Sequence, residues 1–250
     1  MVETEGEVTE KKTSIGVSQI RALADFIGMT SHRGGFRTVV VHPAEAMNAN
    51  AANALLKNLE EPPPSTVFML VTHRPHQLLP TIRSRCQHIA LAPPPRAAAA
   101  EWLASHGVRN PDVALAHMGE APLLALELQG TDFWGARTAF LRHLGKTPLD
   151  VLALGAAAAD MPIPYVLAWL QKWSYDIVHY QSVQRVRYNP DFAEAVASAA
   201  ARTRPLAAMR FHREMVKLQR LAHHPVNARL FVEHMLLAYR DVLEREAIAA

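Results

Sequence analysis

Only one cysteine, Cys86, stands among 250 residues. An internal disulfide is therefore excluded, and a zinc site built on cysteines has too few ligands. A reducing cytoplasm is the natural compartment for such a chain. No apolar run reaches the ~18 residues that a membrane span needs. The segment from Met1 to Lys12 is acidic and then basic, with no apolar centre. It does not have the form of a signal peptide, and we expect residues 1–12 to be a disordered lead-in. Also missing is any phosphate-binding G-x-x-x-x-G-K-S/T loop, so the stretch has no cradle of its own for a nucleotide triphosphate. What is present is ordinary for a soluble globular protein: 50% hydrophobic and 20% charged residues, enough for one to three compact units. The net charge of +3 points only weakly toward polyanionic partners.

Along residues 13–95, helical and strand patterns alternate. Ile20, Leu23, Ala24 and Ile27 recur at helical spacing, and His32-Arg33-Gly34-Gly35 breaks that helix. Thr38-Val39-Val40-Val41 predicts a short buried parallel strand ended by Pro43. Asn48 is placed to cap a helix with the apolar face Ala52, Leu55, Leu56 and Leu59, which Pro62, Pro63 and Pro64 stop. Val67 to Val71 predicts a second strand. A helical turn after His76 then leads to Ser84-Arg85-Cys86, and Ile89 with Leu91 predicts a third strand. This alternation is that of a parallel α/β sheet.

Pro93-Pro94-Pro95 marks the main boundary, and everything beyond it has helical periodicity. Helices are expected near 96–106, 111–117, 121–129, 133–144, 149–159, 163–181, 190–201, 205–222 and 226–248, with a softer boundary near Gly130. Tyr165, Trp169 and Trp173 are spaced four apart on one long helix that also carries Tyr180, a stripe that suits a core or a subunit interface. Arg210, Arg213, Lys217 and Arg220 fall on one helix face, either solvated or facing DNA or a partner. Thirteen histidines invite a metal reading. His73 and His76 lie in a loop and His223-His224 at a helix end, neither with a convergent third ligand, so no metal site is expected.

Three stretches in order carry a family signature: Thr38-Val-Val-Val-His-Pro-Ala-Glu-Ala-Met, Asn53-Ala-Leu-Leu-Lys-Asn-Leu-Glu-Glu-Pro-Pro, and Thr81-Ile-Arg-Ser-Arg-Cys86. The second, followed some twenty residues later by Ser-Arg-Cys, resembles the bacterial clamp-loader subunits of DNA polymerase III, the δ′ and γ/τ group of AAA+ relatives. That resemblance implies a partial AAA+ α/β domain over 13–95, an all-α helical lid over 96–130 and an all-α collar that oligomerises over 131–250. It also implies that the family's phosphate-binding region and cysteine zinc module lie upstream of these residues.

The resemblance further implies roles for individual residues. Where ATPase members end a strand with Asp-Glu to hold Mg²⁺, this chain has His42 and Pro43, neither of them a hard-oxygen ligand. Glu45 lies two residues beyond and is expected to face elsewhere. Leu123 occupies the place of the lid's sensor arginine, and Thr72 that of a polar residue near the γ-phosphate, here read as structural. Arg85 matches the arginine that the family offers in trans to a neighbour's ATP; otherwise it pairs with a local carboxylate. Ser84 would aim it, and Cys86 reads as a small buried hydrophobe.

The implied protein is a δ′-like subunit that does not hydrolyse ATP and holds no cofactor, ATP and Mg²⁺ being bound by its partners. Those partners are γ/τ-type and δ-type subunits, with the sliding clamp and primed DNA reached through the complex. Its catalogue activity, DNA-directed DNA polymerase, belongs chemically to another chain. Two alternatives remain open: the trailing part of an active γ/τ-type ATPase, and a free helical DNA-binding scaffold.

Overall fold

The structure is a computed structural model. It describes residues 14–28, 35–146, 148–158, 161–222, 224 and 226–244. The expected disordered lead-in at 1–12 and the breaker His32-Arg33-Gly34 lie outside the described residues, as does His223. The chain falls into two compact units that divide between Leu91 and Ala92.

In the first unit, α1 (Val17–Gly28), β1 (Arg37–Val41), α2 (Ala49–Glu60), β2 (Thr66–Leu70) and a single turn of helix, α3 (Pro80–Arg83), follow one another. The strands pair in parallel, with Val39 opposite Phe68 and Val41 opposite Leu70. Side chains alternate along each strand, so Val39 and Val41 are buried with Phe68 and Leu70 packed beside them. A second cluster, Ile20, Ala51 and Leu55, joins α1 to α2 against the same two β2 side chains. The Asn48 carboxamide accepts the Ala51 N–H at 2.8 Å, which caps α2, and Pro62 follows directly after the helix has ended.

The expected third strand does not form among the described residues. Residues 87–95 have no regular structure, and the sheet has two strands. Ile89 is 76% and Leu91 88% exposed. Alternating apolar residues carry strand propensity, but a strand exists only where a neighbouring edge accepts its hydrogen bonds.

The second unit is helical: α4 (Arg96–Ser105), α5 (Pro111–His117), α6 (Pro122–Glu127), α7 (Phe133–Leu144), α8 (Val151–Ala158), α9 (Ile163–Val183), α10 (Ala193–Ala201), α11 (Pro205–Leu218) and α12 (Ala228–Glu244). One continuous hydrophobic cluster runs from Ala99 on α4 to Tyr239 on α12. At its centre α9 packs against α7, α10, α11 and α12. The aromatic stripe divides accordingly: Trp169 and Trp173 are fully buried, whereas Tyr165 is exposed. Each buried indole contributes roughly 4–6 kcal/mol of gross transfer energy before entropy is counted. The Trp173 indole N–H donates to the Tyr239 hydroxyl at 2.8 Å, and burial pushes that phenol up to about 12.

A polar chain runs through this core. Arg137 on α7 is 1% exposed. Its guanidinium donates to both Asp191 oxygens at 2.7 and 2.9 Å, to Asn189 Oδ1 at 2.8 Å and to His117 Nδ1 at 3.1 Å. Because His117 Nδ1 accepts that bond, its ring proton sits on Nε2. Burial, then the nearby Lys172 and Arg137 cations, push His117 down to about 2. An unfolded histidine titrates near 6.5 and this folded one does not, so below pH 6.5 the unfolded chain binds the extra proton. His117 therefore adds stability above pH 6.5 that is lost as the pH falls toward 2. Measured by urea unfolding, the protein is expected to lose about 2 kcal/mol more between pH 7.5 and pH 5 than the His117→Gln variant does. Parallel pH profiles for the two would contradict a His117 that stays neutral in the folded core.

Candidate interaction site at the Ser-Arg-Cys turn

Arg85 follows directly on the one-turn helix α3, which starts at Pro80 and has Ser84 as its C-terminal cap. The Ile82 side chain is 1% exposed and anchors the turn, so the residues after it are set on the surface. The Ser84 hydroxyl donates to the Thr81 carbonyl at 3.1 Å. The Arg85 guanidinium then donates to that same carbonyl at 2.9 Å and to Ser84 Oγ at 3.3 Å. Ser84 and Thr81 together hold the guanidinium from one side.

The remaining partner of Arg85 is a carboxylate. Its Nε donates to Glu60 at 2.6 Å, and Nη2 completes an ion pair with the same residue. Both side chains stay partly open to solvent, Arg85 at 34% and Glu60 at 50%. In the chain by itself, then, the local-carboxylate alternative is the arrangement adopted. Glu60 is the last residue of α2 and belongs to the Asn53 to Pro63 stretch of the signature. Two parts of the motif, 25 residues apart, thus meet at one ion pair. Cys86 is a free thiol, partly buried, and burial raises it above the ordinary range. A thiol held protonated is a poor nucleophile, which suits a packing role.

At the end of β1, His42 and Pro43 are exposed. The His42 imidazole meets that of His73 edge to face, Nε2 to Nε2 at 3.5 Å. Glu45 is where the sequence reading fails. The 3-10 turn Ala44–Ala46 curls the chain back, and Glu45 accepts the His73 N–H at 3.4 Å beside the end of β2. Burial pushes its carboxyl up, but hydrogen bonds from Thr72 and from backbone N–H groups hold it below its usual range. Thr72 Oγ1 also accepts the Arg74 N–H at 3.0 Å. Two imidazoles and one carboxylate already committed to N–H and O–H donors do not suit Mg²⁺, which takes oxygen ligands in an octahedral set. Among the described residues no three histidine, cysteine or carboxylate side chains converge on a metal position. Leu123 lies in the first turn of α6 and is 72% exposed.

Family models of "DNA polymerase III, delta subunit" and its C-terminal part match residues 4–95 and 131–241. The chain is 32% identical to DNA polymerase III subunit delta′ of Escherichia coli over 242 residues, 93% of this chain and 72% of that protein. The chain belongs to the DNA polymerase III subunit δ′ family. The δ′ subunit of Pseudomonas aeruginosa is 39% identical over 182 residues, covering 70% of this chain and 56% of the relative. The chain thus spans little more than half of that curated relative. Likeness to the τ subunit of Bacillus subtilis, 38% identity, is confined to 72 residues. A crystal structure of a DNA polymerase III γ-subunit-related protein from Thermotoga maritima shares the fold, with a TM-score of 0.55 at 22% identity over 94% of this chain and 82% of that one.

The four cations proposed on α11 are only partly a single face. Arg210, Arg213 and Lys217 are exposed on the helix, opposite its buried Ala208, Phe211 and Met215. Arg220 lies past Gln219, where the helix has closed into turns, because the Gln219 N–H already bonds back three residues to Val216. Leu206, Met209 and Val216 are exposed between these cations, so the surface is mixed rather than uniformly basic. Sequence reasoning missed two partners, Glu60 for Arg85 and Glu45 for the strand ends. Glu60 was legible in principle, as an acidic residue inside the same motif.

An ion pair this open to solvent contributes little to stability. Glu60→Ala is expected to change unfolding free energy by less than about 1 kcal/mol in urea titration. A larger loss would make the pair structural.

Proposed function

We propose that this chain acts as a δ′-type subunit of a clamp loader and presents Arg85 to ATP bound by a neighbouring γ/τ-type subunit. The observation that carries this is a motif arginine held at the surface by groups that fix its direction, in a pair weak enough to exchange. A planar guanidinium forks toward phosphate oxygens and stabilises the charge that develops on a transferring phosphoryl group. Glu60 acts as a rest position that keeps the guanidinium ordered until phosphate replaces the carboxylate.

The chain does not itself hydrolyse ATP on this reading. His42 and Pro43 take the place of the metal-holding acid, and Glu45 is committed to Thr72 and His73. ATP and Mg²⁺ belong to the partner, and no cofactor is held here. Residues 13–95 form part of an AAA+ domain, 96–130 a lid, and 131–250 a collar through which the protein joins γ/τ-type and δ-type subunits in the cytoplasm. The assembled complex opens the sliding clamp on primed DNA.

The test is ATP hydrolysis by a loader assembled with the full-length protein. Arg85→Ala is expected to lower the DNA- and clamp-stimulated rate by about 10³-fold or more, with assembly intact by gel filtration. Glu60→Gln, which frees the arginine, is expected to retain the rate, and the protein alone to give no turnover. An unchanged rate with Arg85→Ala would overturn the arginine-in-trans reading.

A further inference from the structure

A second surface lies on the helical unit. It begins with a buried carboxylate whose bonds all serve one loop. Asp176 on α9 is fully buried. Its Oδ1 accepts the backbone N–H of Arg187 at 2.8 Å and of Tyr188 at 3.0 Å. Its Oδ2 accepts the Asn189 N–H at 2.9 Å and the Asn189 carboxamide at 2.8 Å. The Asn189 carboxamide oxygen in turn accepts from Arg137, which anchors the loop to α7. On the loop's other side, Gln184 turns the chain at φ 55° and the His179 imidazole meets the Arg185 carbonyl at 2.7 Å. Burying a carboxylate costs several kcal/mol unless it is well bonded. Here those bonds tie the six-residue connection Gln184–Asn189 to α9 and α7, with Gln184, Arg185 and Arg187 left exposed.

What the loop displays is chemically specific. Arg185 and Arg187 are exposed, and neither makes an ion pair among the described residues. The Arg187 guanidinium lies 5.5 Å from the centre of the Tyr188 ring. Tyr188 packs edge to face on Tyr175 at 5.2 Å, and Tyr175 contacts His179 and His212 at 5.5 and 5.9 Å. Two cations with no ion pair among the described residues therefore share a loop with a continuous patch of half-buried flat rings, Arg187 directly against it. A solvated basic loop needs no such rings, and an apolar protein interface needs no such cations.

Together these match single-stranded nucleic acid. Guanidinium groups meet backbone phosphates, and aromatic or guanidinium planes stack unpaired bases without regard to sequence. Duplex offers no exposed base faces, and a run of acidic residues has no rings to stack. We infer that the loop from Gln184 to Asn189, with Tyr175, His179 and His212, is a binding site for single-stranded nucleic acid. The site is independent of Arg85 and of any ATP-binding partner.

The test uses the intact chain alone, without ATP or other subunits, and a fluorescein-labelled oligothymidylate of about sixteen nucleotides followed by anisotropy. Binding is expected to weaken steeply with salt, to fall about tenfold or more in Arg185→Ala/Arg187→Ala, and to fall on the order of tenfold in Tyr188→Ala but not in Tyr188→Phe. Near-ultraviolet circular dichroism verifies that each variant is folded. A 4-thiothymidine oligonucleotide crosslinked to the unaltered chain is expected to label residues between Tyr175 and Tyr188, which tests the site even if a variant unfolds. No binding, crosslinks confined to Arg210, Arg213 and Lys217 on the other face of α11, equal affinity without the two arginines, or equal competition by oligoglutamate would overturn the inference.

Discussion

The buried Arg137 guanidinium ties together separate parts of the helical unit. A guanidinium that is 1% exposed must have its donors met, and the partners come from two other segments: His117 on α5, and Asn189 with Asp191 in the connection after α9. Removing one member of such a set leaves a charge stranded in the core, typically a loss of about 3–5 kcal/mol. The set therefore requires α5, α7 and the 184–191 connection to arrive together. Residues 96–130 also share one continuous hydrophobic core with the helices that follow.

The Ser-Arg-Cys turn works by the opposite principle. Its arginine is aimed by neutral groups, Thr81 and Ser84, and charge-paired only at the surface. Where the core spends a buried cation on rigidity, this turn keeps an exposed one exchangeable. On the proposed function, a side chain that reaches a partner's phosphate needs both a fixed direction and a weak competitor, and Glu60 at the end of α2 would supply the second. Family membership and the shared fold give this geometry its context, while the direction of Arg85 comes from the turn itself.

Much of the architecture was legible in short-range pattern. The β-branched run at Thr38 to Val41, the Asn48 cap, the proline stop after Glu60 and the helical periods beyond Pro95 all depend on neighbours within a few residues. The failures depend on distance. Ile89 and Leu91 have the composition of a strand, but a strand needs an edge to pair with. Glu45 looked turned away because a 3-10 turn cannot be read from three residues of ordinary composition. Arg137 meets Asp191 across 54 residues, and Asp176 meets Asn189 through a turn at a left-handed glutamine, neither of which leaves a periodic trace. Arg85 lies in a contiguous motif that the sequence displays, but the carboxylate it pairs with lies in a different part of the signature.

The most direct test of the central claim is where the Arg85 guanidinium lies when the loader is trapped with a non-hydrolysable ATP analogue, as seen by cryo-electron microscopy. The account predicts that Arg85 has left Glu60 and donates to γ-phosphate oxygens of the adjacent subunit at hydrogen-bond distance, about 2.7–3.2 Å. An arginine still closed on Glu60, with the neighbour's γ-phosphate out of its reach, would contradict it.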